Sequence, residues 1–221
     1  MAQGSGDWFR RQFTASFDEQ ADRIGRFNLA IFGKTGVGKS TLINAIFGED
    51  LAETGIGEPV TKDSHLYMHH SGHFGVLDTR GLEIGQDNQQ ILSDLRDYVR
   101  GMRRLDLSDQ VHVAWYCVRA SDRRFEETEG DFIRALDDLG LPVLLVLTQV
   151  PSRKGSYHPD AVRLSQEIVD MGLPITGGTP FMTYAKADEF AGFDAHGLQD
   201  VLDATFQVAP QGVQQLSLIH I

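Results

Sequence analysis

Apolar residues fall along this chain in two rhythms, short unbroken runs and stretches spaced three and four apart, and the two alternate. From Asp7 to about Ile24, Phe9, Phe13 and Phe17 recur every four residues with charges between them, the spacing of an amphipathic helix. Phe27 to Phe32 is a short apolar run, followed at once by the glycine-rich stretch Gly33 to Thr41 and then by the helical Leu42 to Phe47. Strand, glycine loop and helix are predicted in that order, with Gly48 closing the helix. Ala52 to Ser64, with Gly55, Gly57 and Pro59, reads as loop. His65 to His70 and Phe74 to Asp78 read as two strands of a hairpin turning at Ser71-Gly72-His73.

Further along, Ile91, Leu92, Leu95, Tyr98, Val99 and Met102 mark a helix with one buried face. Val111 to Val118 is the next strand. Phe125, Phe132, Ile133, Leu136 and Leu139 mark a helix that Gly140 stops, and Leu141 to Thr148 is a strand. Leu164, Ile168 and Met171 lie on another helix before Gly172, Pro180 to Tyr184 is the last strand, and Gly197 to Phe206 is the last helix. Strands alternating with helices predict an α/β fold whose mainly parallel sheet is covered on both faces.

Composition narrows the class. With 221 residues, 41% hydrophobic and 23% charged, the chain suits one globular domain with small additions. Its formal charge of −11 repels polyanions, so no nucleic-acid partner is expected. One cysteine, Cys117, and no secretory signal at the start predict a cytoplasmic location. The longest apolar run, Leu141 to Leu147, is far short of the roughly 20 residues that span a bilayer.

The glycine stretch carries the chemistry. Gly33-x-x-x-x-Gly38-Lys39-Ser40, with a strand before it and a helix after it, is a phosphate-loop pattern. Its glycines let successive backbone N–H groups of Gly33, Lys34, Thr35, Gly36, Val37, Gly38, Lys39, Ser40 and Thr41 turn around phosphate oxygens at a helix N-terminus. Lys39 would neutralise the β- and γ-phosphates and the Ser40 hydroxyl would ligate Mg²⁺.

On those residues the chain resembles the P-loop GTPases of the Era-like, septin-like and dynamin-like kind, from about Phe27 to about Phe206. The resemblance implies a three-layer fold with a six-stranded, mainly parallel sheet, one antiparallel edge strand and helices on both faces. It also implies GTP or GDP as ligand and Mg²⁺ as cofactor. In Gly57-Glu58-Pro59-Val60-Thr61, Thr61 matches the mobile-loop threonine that binds Mg²⁺ and senses the γ-phosphate. Asp78-Thr79-Arg80-Gly81 matches the family's Asp-x-x-Gly, with Asp78 on Mg²⁺ and the Gly81 N–H on the γ-phosphate. Lys39, Thr61 and Gly81 are thereby the catalytic candidates. Ser40, Thr61 and Asp78 are the metal candidates.

Departures from the family pattern open alternatives. Leu82 stands where related proteins carry the glutamine that orients water, so if water is positioned, Arg80, a residue of the mobile loop, a second subunit or a protein activator must help. Gly36 replaces the asparagine of potassium-stimulated relatives. The base-reading motif reads Thr148-Gln149-Val150-Pro151, and Pro151 cannot supply the carboxylate that takes both guanine N–H groups. Tyr184-Ala185-Lys186 resembles the last base-binding motif, with the Ala185 N–H on guanine O6 and Lys186 beside it. The reading is a GTP-hydrolysing switch, slow without a partner or self-association. Its rivals are a nucleotide-binding interaction module with negligible turnover and a P-loop protein with relaxed base choice that uses ATP.

His65, His69, His70 and His73 crowd the hairpin without a carboxylate at ligand spacing, and a solvated edge hairpin is expected. Trp115 and Cys117 should share a core face. The domain limits expected are an amphipathic helix over 1–25, the GTP-binding domain over 26–208 and a linker over 209–221. The stretch Val213 to Ile221 does not continue the helix pattern. It resembles read-through sequence after a truncated gene, so membrane association through a missing C-terminal region stays open.

Overall fold

A computed structural model describes residues 27–47, 58–61, 64–68, 74–78 and 109–218, with scattered positions between 93 and 106. The predicted 1–25 helix, the loop after Asp78 and the hairpin turn lie outside the described residues. Strand β1 (Phe27–Phe32) leads into helix α1 (Lys39–Phe47), then come β2 (Glu58–Thr61), β3 (Ser64–Met68) and β4 (Phe74–Asp78). After them come β5 (Val113–Arg119), α2 (Glu127–Asp138), β6 (Val143–Thr148), β7 (Ser152–Arg153), β8 (Ser156–Tyr157), α3 (Pro159–Asp170), β9 (Phe181–Met182) and α4 (Leu198–Leu218).

One sheet has the order β2-β3-β4-β1-β5-β6-β9, and β7 with β8 forms a separate hairpin. From β4 to β9 all pairings are parallel. Parallel strands are covered on both faces and therefore read as unbroken apolar runs; β1 (FNLAIF) and β6 (VLLVLT) are buried at every position. Alternation along the strands feeds two cores. Ala30, Phe32, Tyr116, Val118, Leu145 and Leu147 meet Phe132, Ile133 and Leu136 of α2 and Leu164 and Ile168 of α3. Leu29, Ile31, Trp115, Cys117, Leu144 and Val146 meet Leu42, Ile43 and Ile46 of α1 and Val201 and Leu202 of α4.

The three-layer α/β class agrees with the sequence reading, but among the described residues the sheet has seven strands and not six. The additional strand is β2, in the stretch read as loop. It pairs antiparallel with β3 through Glu58↔Leu66 and Pro59↔His65. Proline cannot donate to a ladder and is tolerated at a sheet edge, which is where β2 lies. Strand β3, antiparallel to β4, is therefore one place in from the edge, and the His65 hairpin is not an edge hairpin.

The last helix also differs. It runs through Pro210 to Leu218, beyond its predicted end at Phe206 and into the stretch read as non-helical. Among the residues whose side chains are described, its buried stripe is Val201, Leu202, Thr205 and Val208. Pro210 and Gly212, the residue types least favourable to a helix interior, lie within that extension. No helix among the described residues is long and apolar enough to cross a membrane.

Candidate functional site

The loop between β1 and α1 is shaped by its glycines. Gly33 has φ +130°, and a Cβ there would collide with the Cys117 carbonyl oxygen, so only glycine lets the loop cross the end of β5. Val37 anchors the loop in the core while Thr35 and Gly36 stay exposed. The Leu42 N–H donates to the Gly38 carbonyl at 2.9 Å, and the helix begins. Lys39 folds back: its Nζ donates to the carbonyls of Gly33 at 2.6 Å and Lys34 at 3.0 Å. An ammonium held over a ring of backbone at a helix N-terminus is an anion site, since charge and dipole act in the same sense. Ser40 and Thr41 come next, both exposed.

Two carboxylates hold the loop from behind. Lys34 Nζ lies 3.3 Å from Glu126 Oε2 and 3.4 Å from Glu129 Oε2. Glu129 is buried, and it also accepts the Tyr116 hydroxyl at 3.2 Å and the Glu126 N–H at 2.9 Å. Burial first, and then the Glu129 charge, push the Tyr116 hydroxyl far above its ordinary pKa. Lys34 thus turns its charge toward α2, and its carbonyl toward Lys39.

The sheet places the metal candidates by register. Asp78 pairs with Ile31, two residues before Gly33, and on its other side with His65. Thr61 pairs with Ser64, the residue before His65. Thr61 and Asp78 therefore end β2 and β4 at the sheet end where the glycine loop leads into Ser40 of α1. Two hydroxyls and one carboxylate are a hard-oxygen set that fits Mg²⁺. Arg80, Gly81 and Leu82 lie outside the described residues, as do His69, His70 and His73. Among the described residues no group of three His, Cys, Asp or Glu could hold a metal.

The base-side candidates leave adjacent strands. Thr148, ending β6, is buried, and its hydroxyl donates to the Val37 carbonyl, with the Val118 carbonyl at 3.3 Å. Gln149, the next residue, has φ +54° and is exposed; a Cβ on Gly38 would meet its Nε2 at 3.4 Å. Strand β9 pairs with β6 through Leu147↔Met182, so half-buried Ala185 and exposed Lys186 emerge at the same sheet end as Gln149.

Sequence reading missed the segment just after Pro151. Lys154 and Gly155 have φ +52° and +77°, a turn that closes the β7–β8 hairpin, and the His158 N–H returns to the Pro151 carbonyl at 2.9 Å. Arg123, itself at φ +57°, reaches Asp160 with its Nε 3.0 Å from Oδ2. A cavity of about 480 Å³ opens among Ser121, Arg123, Gln149, Pro151, His158 and Asp160. His158-Pro159-Asp160 was a legible helix start, whereas Lys154-Gly155 is not one of the favoured hairpin pairs. Cys117 lies in the core as expected, its thiol pushed up to about 12 by burial. The Trp115 indole donates to Thr205 Oγ1 at 2.9 Å.

The profile of the 50S ribosome-binding GTPase family matches residues 28–149. GTPase Der of Nitrobacter winogradskyi is 29% identical over 192 residues, 86% of this chain and 37% of that protein. GTPase Der of Streptococcus pyogenes is 37% identical over 101 residues, 42% of this chain and 21% of that protein. This chain therefore spans well under half the length of these relatives. Among solved structures, a dimerization-deficient mutant of Toc33 from Arabidopsis thaliana superposes with a TM-score of 0.60 at 18% identity, covering 94% of each chain. Era of Aquifex aeolicus bound to GDP and AlF4⁻ gives 0.51 at 18% identity, covering 82% of this chain and 56% of that one.

Proposed function

The chain belongs to the 50S ribosome-binding GTPase family of P-loop GTPases, and from that premise we propose that residues 26–208 form a cytoplasmic, Mg²⁺-dependent GTP-binding domain that hydrolyses GTP to GDP and phosphate as a switch. The observation that carries this reading is the Lys39 ammonium folded over the Gly33 and Lys34 carbonyls at the mouth of a glycine loop. Phosphate oxygens would take the loop N–H groups and Lys39. Ser40, Thr61 and Asp78 would hold Mg²⁺, which would neutralise charge on the β- and γ-phosphates. Thr61 and Gly81 would sense the γ-phosphate and release their segments after hydrolysis. Gln149 would lie over the base, with Ala185 and Lys186 at its edge.

With Leu82 after Gly81, no glutamine orients water from that position. Turnover is therefore proposed to be slow for the lone chain and faster when a second copy or an activator supplies a group. The Toc33 likeness favours a second copy, because dimerization is important for the GTPase activity of that protein. The rival reading, an interaction module with negligible turnover, rests on Leu82 and Pro151.

Phosphate release from GTP tests the choice. Turnover that rises with protein concentration and vanishes in Lys39→Ala supports the self-associating switch. Guanine binding with no release at any concentration supports the module.

A further inference from the structure

The base-reading motif lacks its acid at Pro151, yet the fold brings another carboxylate to the same wall. The β7–β8 hairpin leaves the chain at Pro151 and returns it there, since the His158 N–H donates to the Pro151 carbonyl at 2.9 Å. Skipping that excursion, His158 meets Pro151 directly, and Asp160, two residues on, lines one cavity with both. Asp160 lines the cavity of about 480 Å³ together with Gln149 and Pro151, a size within the usual range of about 300–1,000 Å³ for ligand pockets. Gln149 also borders Gly38 of the phosphate loop, so this cavity adjoins the place where a nucleotide's phosphates would sit.

Resting on the reading of the site as a nucleotide site, we propose that Asp160 is the specificity-determining carboxylate that reads the purine base. The side chain is positioned for the task. Oδ2 is held by the Arg123 Nε at 3.0 Å, and the Asp160 N–H donates to His158 Nδ1 at 3.2 Å. Oδ1 has no bond within the described residues, and Oδ2 keeps a lone pair beyond the one Arg123 uses. Guanine presents two donors side by side, N1–H and the exocyclic N2–H. A carboxylate accepts both. Adenine presents a lone pair at N1 and a C–H beside it, so the same carboxylate rejects adenine by repulsion and by an unmet acceptor. The hairpin is then the device by which this chain restores a function that its motif has lost.

The test is a titration of the whole protein with fluorescent GDP, competed by GDP, xanthosine diphosphate and ADP, for wild type and Asp160→Asn. A carboxamide offers one acceptor and one donor, which matches xanthine and mismatches guanine. The proposal predicts a loss of GDP affinity of about five- to 150-fold, a gain for xanthosine diphosphate, and ADP affinity within twofold of wild type. Unchanged GDP affinity in a guanine-selective protein overturns the assignment and leaves the nucleotide site standing. An equal loss for all three nucleotides also overturns it, since Asp160 would then only shape the loop. A wild type that binds no nucleotide overturns the site itself.

Discussion

At the scale of single residues, two glycines of one loop should behave differently. Gly33 meets the Cys117 carbonyl and has φ +130°, whereas Gly36, at φ +77°, faces open space. Gly36→Ala should cost about 1 kcal/mol of backbone strain and little else. Gly33→Ala must also push strand β5 aside, and should cost about 3 kcal/mol or more with loss of GDP binding; urea unfolding and a GDP titration check both. Cys117 should resist alkylation in the native protein and react once unfolded, followed by mass spectrometry. Its thiol has an ordinary pKa of 9.0 and is raised to about 12 by burial. The unfolded chain therefore releases this proton first, and stability should fall as pH rises above about 9. The phosphate-loop residues were legible because spacing alone, G-x-x-x-x-G-K-S, encodes a backbone shape. Glu129 was not, because its role depends on Lys34 and Tyr116 meeting it across two elements.

At the scale of elements, helix α2 is joined to the loop through its own first turn. Glu126 and Glu129 form a reciprocal capping box, and Glu129 is also the buried partner of half-exposed Lys34. Glu129→Ala should therefore cost about 2–4 kcal/mol, while Glu127→Ala, at an exposed position of the same turn, should stay within about 0.5 kcal/mol. Thermal unfolding separates the two. Strands β1, β5 and β6 were legible from their unbroken apolar runs, since a parallel sheet buries both faces. Strand β2 was not, because Pro59 and the nearby glycines carry the signals of a loop, and only the edge position admits that proline. The end of α4 was not legible either, because Pro210 and Gly212 carry the signals of a helix stop although the helix runs on to Leu218.

At the scale of the whole molecule, the fold is shared with proteins of differing occupation. An Era structure is described in complex with a segment of 16S ribosomal RNA, but this chain carries a net charge of −11. Non-specific RNA binding draws its affinity from cationic contacts to phosphates, so the chain should show none in a mobility-shift assay near 150 mM salt. The assembly proposed in its place is a second copy of the chain, and sedimentation with a non-hydrolysable GTP analogue should then show a dimer that GDP does not support. All of this depends on the loop at Gly33 to Ser40 being a nucleotide site. The direct test is a titration of nucleotide-stripped protein with fluorescent GDP and Mg²⁺, run for wild type and Lys39→Ala. Saturable micromolar binding in the wild type that GTP competes away, lost in the variant, is the result predicted. Equal binding by both proteins, or by neither, would contradict it.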